Sequence, residues 1–312
     1  MKDIMSIKKR LEQKSAINGK AGVAIMSGML NEEKIRNLVI KHYNSITCEN
    51  EMKPEIILGD VPVFRVDTEG NICLDENGDP VLTLDFSKAD KIMYFIKKHN
   101  EKNPDDTIRV RGHVLVWHSQ TPDWFFREKY DSQGAYVGKE KMLKRLENYI
   151  QKVLEHYDGV NSPYRGIIYA WDVVNEQIEP DDFHPEKNPG SVRYTCNNKN
   201  TGWYNIFQGD ISYITQSFVF ANRYAPNDIK LFYNDYNDAD PVKRDAICVL
   251  LRQIKDTKGA RIDGMGMQAH YHMEFPSIEQ IREAVYMYSS IVNEIQFTEF
   301  DMQSSKSYDG SD

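Results

Sequence analysis

Two glutamates in this sequence, Glu176 and Glu299, each lie near the carboxyl end of a predicted β-strand. The apolar run Gly166–Val174 is followed directly by Asn175 and Glu176, and Glu299 lies in Glu294–Asp301. Apolar runs between turn signals predict strands of a buried parallel sheet, and α/β barrels carry their chemistry at the carboxyl ends of such strands. Two carboxyl groups about 5 to 5.5 Å apart, one protonated and one ionised, can cleave a glycosidic bond with retention. For either glutamate alone, a surface or salt-bridged carboxylate is the alternative.

Polar side chains also stand at the ends of six predicted strands in succession. Any one of them could be a satisfied polar group of the core, but six strands with polar groups at the same end are better explained by one shared cleft. Beyond the two glutamates, the candidates are Glu49, Asn50 and Lys53 after the second strand; His113, Trp117, His118 and Gln120 at the third; Asn175 at the fourth; Asn234, Asp235 and Tyr236 at the fifth; Gln268, His270 and Tyr271 at the sixth; and Asp301 at the seventh.

The elements that would position these residues alternate between strands and helices. Such alternation predicts an α/β fold with a right-handed parallel sheet, here a (β/α)8 TIM barrel. Six helices are predicted from their 3.6-residue apolar period. The seven predicted strands are Ala21–Met26, Ser45–Asn50, Ile108–Trp117, Gly166–Val174, Ile229–Tyr236, Ile262–Tyr271 and Glu294–Asp301.

Four helix starts carry capping signals. Asn31 and Asp240 are each expected to be an N-cap, and Asp240 is followed by a proline at the first helical position. Ser87–Asp90 and Ser277–Gln280 have the spacing of a capping box.

The chain continues for eleven residues beyond Asp301, and these residues read as loop. We therefore expect a single catalytic barrel domain over residues 1–312 that is incomplete at its C-terminal end, because the eighth β/α unit is missing. Seven parallel strands would leave two strand edges unpaired, and a second chain is one possible source of the missing unit. The polar segment Pro180–Thr201 is long for a connection and is expected to be a functional rim loop.

Composition and charge limit the possible partners. The 312 residues are 40% hydrophobic and 28% charged, as in a globular enzyme, and the net charge of −8 argues against a nucleic-acid partner. No run of about 18 apolar residues predicts a membrane span. The charged N-terminus has no signal-peptide core, so the protein is expected to be cytoplasmic or a secreted protein given without its leader. The four cysteines have no metal-ligand spacing and are expected to be buried apolar residues: Cys48, Cys73, Cys196 and Cys248.

Six ordered sequence blocks resemble the family 10 glycoside hydrolases, the endo-β-1,4-xylanases. Together they span most of the chain between residues 20 and 301, which makes the resemblance far more specific than a lone Asn-Glu pair. The blocks are Thr47–Lys53, Arg111–Gln120, Trp171–Glu176, Leu231–Asn237, Gly266–Tyr271 and Phe297–Asp301.

The resemblance implies a retaining hydrolase with a (β/α)8 barrel that uses no metal and no organic cofactor. Glu176 would be the general acid/base, and Glu299 would be the nucleophile that forms a covalent glycosyl-enzyme. Asn175 would bind the sugar 2-hydroxyl, and His270 would bind Glu299 while Asp301 holds the imidazole. The remaining substrate-binding residues implied by the resemblance are Glu49, Asn50, Lys53, His113, Trp117, Gln120, Tyr236 and Gln268.

The resemblance implies internal cleavage of β-1,4-xylan or xylo-oligosaccharides. Two other hypotheses stay open: a β-xylosidase or related β-glycanase, and a truncated xylan-binding chain of low activity. The sequence departs from the family pattern in having no eighth strand with its covering tryptophans, and in Gln177, where a small residue is more usual.

Overall fold

The computed structural model describes residues 4–13, 19–76, 78–180 and 191–304. Short 3₁₀ helices cover Ser27–Asn31, Asp123–Phe126 and Glu128–Tyr130. The α-helices of the described residues are α1 (Ile7–Glu12), α2 (Glu33–His42), α3 (Pro54–Leu58), α4 (Ser87–Lys102), α5 (Lys139–Asp158), α6 (Gly202–Phe207), α7 (Ser212–Tyr224), α8 (Pro241–Asp256) and α9 (Ile278–Ser289).

Seven of the described strands belong to one sheet, in the order β1-β2-β3-β4-β7-β8-β10. The pairs β1–β2, β2–β3, β7–β8 and β8–β10 are parallel. The strands are β1 (Gly22–Ile25), β2 (Ser45–Cys48), β3 (Arg109–Trp117), β4 (Ile168–Asn175), β5 (Thr195–Cys196), β6 (Lys199–Asn200), β7 (Lys230–Asp235), β8 (Gly264–Met267), β9 (His270–His272), β10 (Glu294–Phe297) and β11 (Asp301–Gln303).

The predicted α/β alternation is confirmed, with one difference in the last two predicted strands. Each of these divides in two, so β8 ends at Met267 and β9 begins only at His270. Between them Ala269 takes a φ of 59°, which breaks the extended backbone. The last predicted strand is divided in the same way into β10 and β11. β11 pairs with β9 in parallel as a separate two-stranded ribbon. His270 and Asp301 therefore face each other across this ribbon, not on the main sheet.

Two of the four capping predictions are confirmed. Asp240 accepts from the first turn of α8, and Ser277–Gln280 forms a reciprocal capping box at α9. The other two are wrong. Asn31 ends a 3₁₀ turn, and α2 starts two residues later. Ser87 is not a cap but the first residue of α4, and its backbone N–H donates to Asp85 Oδ1 at 2.8 Å.

One compact unit comprises residues 1–115, 120–134 and 153–171. Its strands bury Ile46, Val110 and Ile168 completely, as expected for a sheet covered on both faces. Residues 64–82 form a small antiparallel arm, with Phe64 opposite Leu82.

The other compact unit comprises residues 116–119, 135–152 and 172–312. Every residue from Asp172 to Asn175 on β4 is buried, and β7 contributes the fully buried Leu231, Phe232 and Tyr233. β10 stands at one end of the strand order and carries Phe297 at 51% exposure. The pairing of a second chain with this sheet stays a prediction.

The remaining sequence predictions concern loops and cysteines. The predicted rim loop Pro180–Thr201 lies outside the described residues over 181–190, and its later part contains the β5–β6 hairpin. All four cysteines are free; Cys48 and Cys248 are buried, whereas Cys73 and Cys196 are only half-buried. Among the described residues, no helix has the length and apolarity needed to span a membrane.

Gly264 on β8 packs directly against a neighbouring ring. A Cβ atom at this position would come within 2.2 Å of Phe232 Cε1. We predict that Gly264→Ala lowers the free energy of unfolding by about 1–3 kcal/mol, because the buried ring must move off its packed position. The urea midpoint measures this change. Gly138→Ala is the matched control, since nothing lies within 4 Å of the added atom, and equal destabilisation by both changes would contradict the packing argument.

Candidate active site

Glu176 follows β4 directly, and two donors hold its carboxyl group. Its Oε2 accepts from the Trp117 indole Nε1–H at 2.9 Å, and its Oε1 accepts from Gln268 Nε2–H at 2.8 Å. The backbone has a φ of 54°, a conformation that costs a non-glycine residue about 1–3 kcal/mol and clusters at functional sites. The Glu176 N–H donates to Asn234 O at 2.9 Å, which fixes this turn to the end of β7.

A chain of three amide side chains, which we call the amide chain, joins the two glutamates: Asn234, Asn175 and Gln268. Asn234 Nδ2 donates to Glu299 Oε1 at 2.9 Å and to Asn175 Oδ1 at 2.8 Å. Gln268 Nε2 donates to Asn175 Oδ1 at 3.3 Å and to Glu176 Oε1 at 2.8 Å. Both donating amide groups use their two hydrogens within the site. The sequence-predicted glutamates are therefore brought into one hydrogen-bonded network.

A histidine and an aspartate support Glu299 from its other oxygen. Glu299 Oε2 lies 3.2 Å from His270 Nε2, and His270 Nδ1 lies 2.8 Å from Asp301 Oδ2. Burial alone lowers the pKa of His270, but the hydrogen bond to Asp301 and the charge of Glu299 outweigh it, so that the pKa is raised above 6.5. This arrangement favours the protonated form of the imidazole.

Beneath the end of β7, Asp235 pairs with a buried lysine. Lys243 Nζ lies 2.9 Å from Asp235 Oδ1, and the Tyr233 hydroxyl donates to the other oxygen. The pKa of Asp235 is raised to about 6, first by burial and to a smaller extent by the charge of Glu176, while the charge of Lys243 opposes the rise.

Tyr236, a predicted substrate-binding residue, is held by a cluster of charged side chains. Its hydroxyl accepts from Arg193 at 2.6 Å and donates to Glu179 Oε2 at 2.9 Å. Lys243 Nζ sits 3.5 Å from the centre of the ring, a cation–π contact that covers one face. Arg193 Nε also donates to Glu176 O at 2.9 Å, so the cluster reaches the glutamate backbone.

His118 stays uncharged beside Glu176. Its Nε2 lies 4.0 Å from Glu176 Oε2, and the side chain is 5% exposed. Burial first, and then the positive charge of Arg193, lower its pKa to about 3. At neutral pH His118 therefore places no positive charge against the glutamate.

Five sequence-predicted residues belong to the first compact unit, where they make contacts of their own. Lys53 Nζ donates to Asn50 Oδ1 at 2.9 Å, and Gln120 Nε2 donates to Glu55 Oε2 at 3.2 Å. Glu49 follows β2 and is exposed, whereas His113 on β3 is buried. Their substrate-binding roles stay predictions.

Sequence reasoning gave no role to several residues that the structure places at the site. The only sequence feature that indicated a role for Asn234 was its position at the end of a predicted strand. Lys243 lies in the first turn of α8, where the helix dipole disfavours a cation. A lysine at this position could have indicated that acidic side chains from other elements surround it. Arg193 and Glu179 meet through the fold, because Ile178 pairs with Val192. No spacing rule would have found that pair.

Among the described residues, no group of three or more His, Cys, Asp or Glu side chains could hold a metal ion. The arrangement instead offers two carboxyl groups in different surroundings, one against neutral donors and one against an imidazole. In enzymes of known mechanism, carboxyl groups in different surroundings take different roles.

Comparison with characterised proteins adds two similar sequences. The chain is 41% identical over 284 residues to endo-1,4-beta-xylanase A of Thermotoga maritima, covering 91% of this chain and 22% of that protein. It is 38% identical to endo-1,4-beta-xylanase B of Butyrivibrio fibrisolvens, covering 91% of this chain and 39% of that protein. The chain thus spans well under half the length of these curated relatives.

Solved structures give the same result. The CBM22-1–GH10 modules of a Clostridium thermocellum endo-1,4-beta-D-xylanase, complexed with xylohexaose, match with a TM-score of 0.76 and 33% identity, covering 91% of this chain and 51% of that one. TsXylA, an intracellular xylanase of Thermoanaerobacterium saccharolyticum, matches with a TM-score of 0.72 and 32% identity, covering 97% of this chain and 78% of that one.

The family model for glycosyl hydrolase family 10 matches residues 9–311, nearly the whole sequence. Members of this family fold as (β/α)8 barrels, in agreement with the parallel strands seen here. The resemblance noticed in the six sequence blocks is confirmed. The chain belongs to glycosyl hydrolase family 10.

Proposed function

We propose that this protein is an endo-β-1,4-xylanase that hydrolyses internal xylosidic bonds with retention. The observation that carries the proposal is the pair Glu176 and Glu299, held by opposite ends of the amide chain. Family membership and the xylanase relatives support the substrate class. We also propose that residues 1–312 act as one catalytic domain, because the family match runs through both compact units.

In the first step, Glu299 attacks the anomeric carbon while the glycosidic C–O bond breaks. Glu176 gives its proton to the departing oxygen, so the leaving sugar departs as a neutral alcohol. The imidazole of His270, itself bonded to Asp301, lies 3.2 Å from the attacking carboxylate and holds it in place.

In the second step, water attacks the anomeric carbon of the glycosyl-enzyme. Glu176, now ionised, takes a proton from this water, and Glu299 leaves as a carboxylate. Two inversions give net retention.

Asn175 is the proposed donor to the sugar 2-hydroxyl. Its Oδ1 is occupied by two amide groups of the site, whereas its buried Nδ2 has no hydrogen-bond partner among the described residues. A buried donor of this kind is costly unless a ligand satisfies it. The other proposed substrate-binding residues are Glu49, Asn50, Lys53, His113, Trp117, Gln120, Tyr236, Gln268 and His270.

Two further hypotheses are tested by the products made from a ladder of xylo-oligosaccharides. An endo-xylanase releases internal fragments, whereas a β-xylosidase releases xylose from one end. A chain that only binds xylan retains the ladder uncut. We expect internal fragments, and xylose as the sole early product would contradict endo action.

Glu299→Ala is predicted to lower kcat/KM on an activated aryl xyloside by roughly 10⁴- to 10⁶-fold, because the covalent intermediate cannot form. Hydrolysis with the circular dichroism spectrum as a fold check is the measurement. Glu294→Ala, at the start of β10, is the control and should keep activity, since the Glu294 carboxyl group accepts from Gln296 Nε2 on its own strand. Appreciable retaining activity in Glu299→Ala would show that the nucleophile is another residue.

Glu176→Ala is predicted to slow cleavage of unactivated xylo-oligosaccharides by about 10²- to 10⁴-fold. With a good leaving group the first step needs no proton, so a pre-steady-state burst of the aryl product should survive while the second step slows. Added azide should restore turnover by attacking the glycosyl-enzyme without base assistance. Equal damage to both steps would contradict the acid/base role.

His270 gives a pH prediction. Because its folded pKa is raised above 6.5, the stability that its charged form contributes is fully present below pH 6.5 and is lost as pH rises through the folded pKa. Asp301→Asn should lower the pKa of His270, since it removes a charge-stabilising partner. NMR titration of the His270 ring proton measures this, with His156, which pairs with Asp90, as an internal control. An unchanged His270 titration would contradict the role of Asp301.

A further inference from the structure

A series of side-chain contacts links the residue after Glu176 to the Glu176 carboxyl group. We call it the aromatic ring system, and its members are Gln177, Tyr213, Trp203 and Trp117. It starts at the Asn175 backbone and ends at the Glu176 carboxyl group, and it lies within one compact unit.

Gln177 anchors one end of this system. Its side chain is completely buried, and its Nε2 donates to Asn175 O at 2.9 Å. Its Oε1 accepts from the Tyr213 hydroxyl on α7 at 2.7 Å. A buried amide satisfied on both sides fixes the backbone on which Glu176 stands.

Trp203 completes the path back to the carboxyl group. Its ring stacks on Tyr213 with centroids 4.8 Å apart and planes 7° apart. Its indole Nε1–H donates to Trp117 O at 3.0 Å, and the Trp117 indole in turn donates to Glu176 Oε2 at 2.9 Å. Gln177 and Tyr213 are thus linked, through Trp203, to the indole that bonds the Glu176 carboxyl group.

We propose that Gln177, Tyr213 and Trp203 are positioning residues for the general acid, and that they act by holding the Trp117 indole against Glu176. The proposal rests on the proposed function, since it names what orients the proton donor of that reaction. Tyr213 is 1% exposed, and burial raises the pKa of its phenol, so the hydroxyl remains a donor throughout the working pH range.

The kinetic test compares two substrates in Tyr213→Phe and Trp203→Phe. Cleavage of an unactivated xylo-oligosaccharide needs the acid, whereas cleavage of a xylobioside with a dinitrophenyl leaving group does not. We expect kcat/KM for the oligosaccharide to fall about 10- to 100-fold, because misaimed catalytic groups cost about this much. The aryl substrate should change by less than about threefold. A parallel fall on both substrates would overturn the proposal.

Tyr224→Phe is the matched control. It removes a hydroxyl from the same helix, but Tyr224 bonds to Glu147 and not to the ring system. Its ratio of the two kcat/KM values should equal that of the unchanged protein. Should either single variant fold poorly, the double variant Tyr213→Phe/Gln177→Met replaces both buried partners with apolar groups and avoids an unsatisfied amide. It should show the same selective loss.

A second readout does not depend on activity. The Trp117 indole N–H gives its own resonance in a ¹⁵N correlation spectrum, assigned by its loss in Trp117→Phe. In Tyr213→Phe and Trp203→Phe this resonance should shift and exchange faster with solvent, while it stays in place in Tyr224→Phe. An unchanged resonance in both test variants would overturn the proposal. If the unchanged protein cleaved no xylan, the proposed function would fail, and this resonance would still decide whether the ring system positions Trp117.

Discussion

The amide chain is the interaction on which the rest of the site depends. Asn234 and Gln268 each spend both hydrogens of a side-chain amide within it, and Asn175 Oδ1 accepts from both. Each carboxyl group is thus held by an amide donor from a neighbouring strand or strand end. Donors fixed before substrate arrives need no reorganisation during the reaction, and such preorganisation is usually the largest catalytic contribution.

The two carboxyl groups differ in their other partners. Glu299 meets an imidazole whose pKa is raised, whereas Glu176 meets an indole and lies beside a histidine kept neutral by burial. The nearby cations are matched by acids: Arg193 pairs with Glu179 and Lys243 with Asp235. The charged cluster therefore holds the loop after Glu176 without placing an unpaired cation on it.

Much of this arrangement could be predicted from the sequence, because strand ends in a parallel sheet fall on one side. That rule predicts that Asn175, Glu176, Gln268 and Glu299 share one site. The breaks at Ala269 and after Phe297 could not be predicted, since a positive φ at alanine is imposed by tertiary contacts.

The residues that orient Glu176 could not be predicted from the sequence for a related reason. Gln177 stood out only as a departure from the family pattern, and nothing in its neighbourhood named Tyr213 as its partner 36 residues away. Arg193 likewise reaches Glu176 across a long connection. Local spacing identifies groups that do chemistry at strand ends, whereas the groups that orient them come from helices and loops whose placement depends on the whole fold.

The most direct test of the central claim is to trap the covalent intermediate. A xylobioside with fluorine at C2 and a dinitrophenyl leaving group slows both steps but still loads the enzyme, and peptide mass spectrometry then locates the label. This account predicts one adduct, on the carboxyl group of Glu299. A label on Glu176, or hydrolysis with inverted anomeric configuration and no adduct, would contradict it.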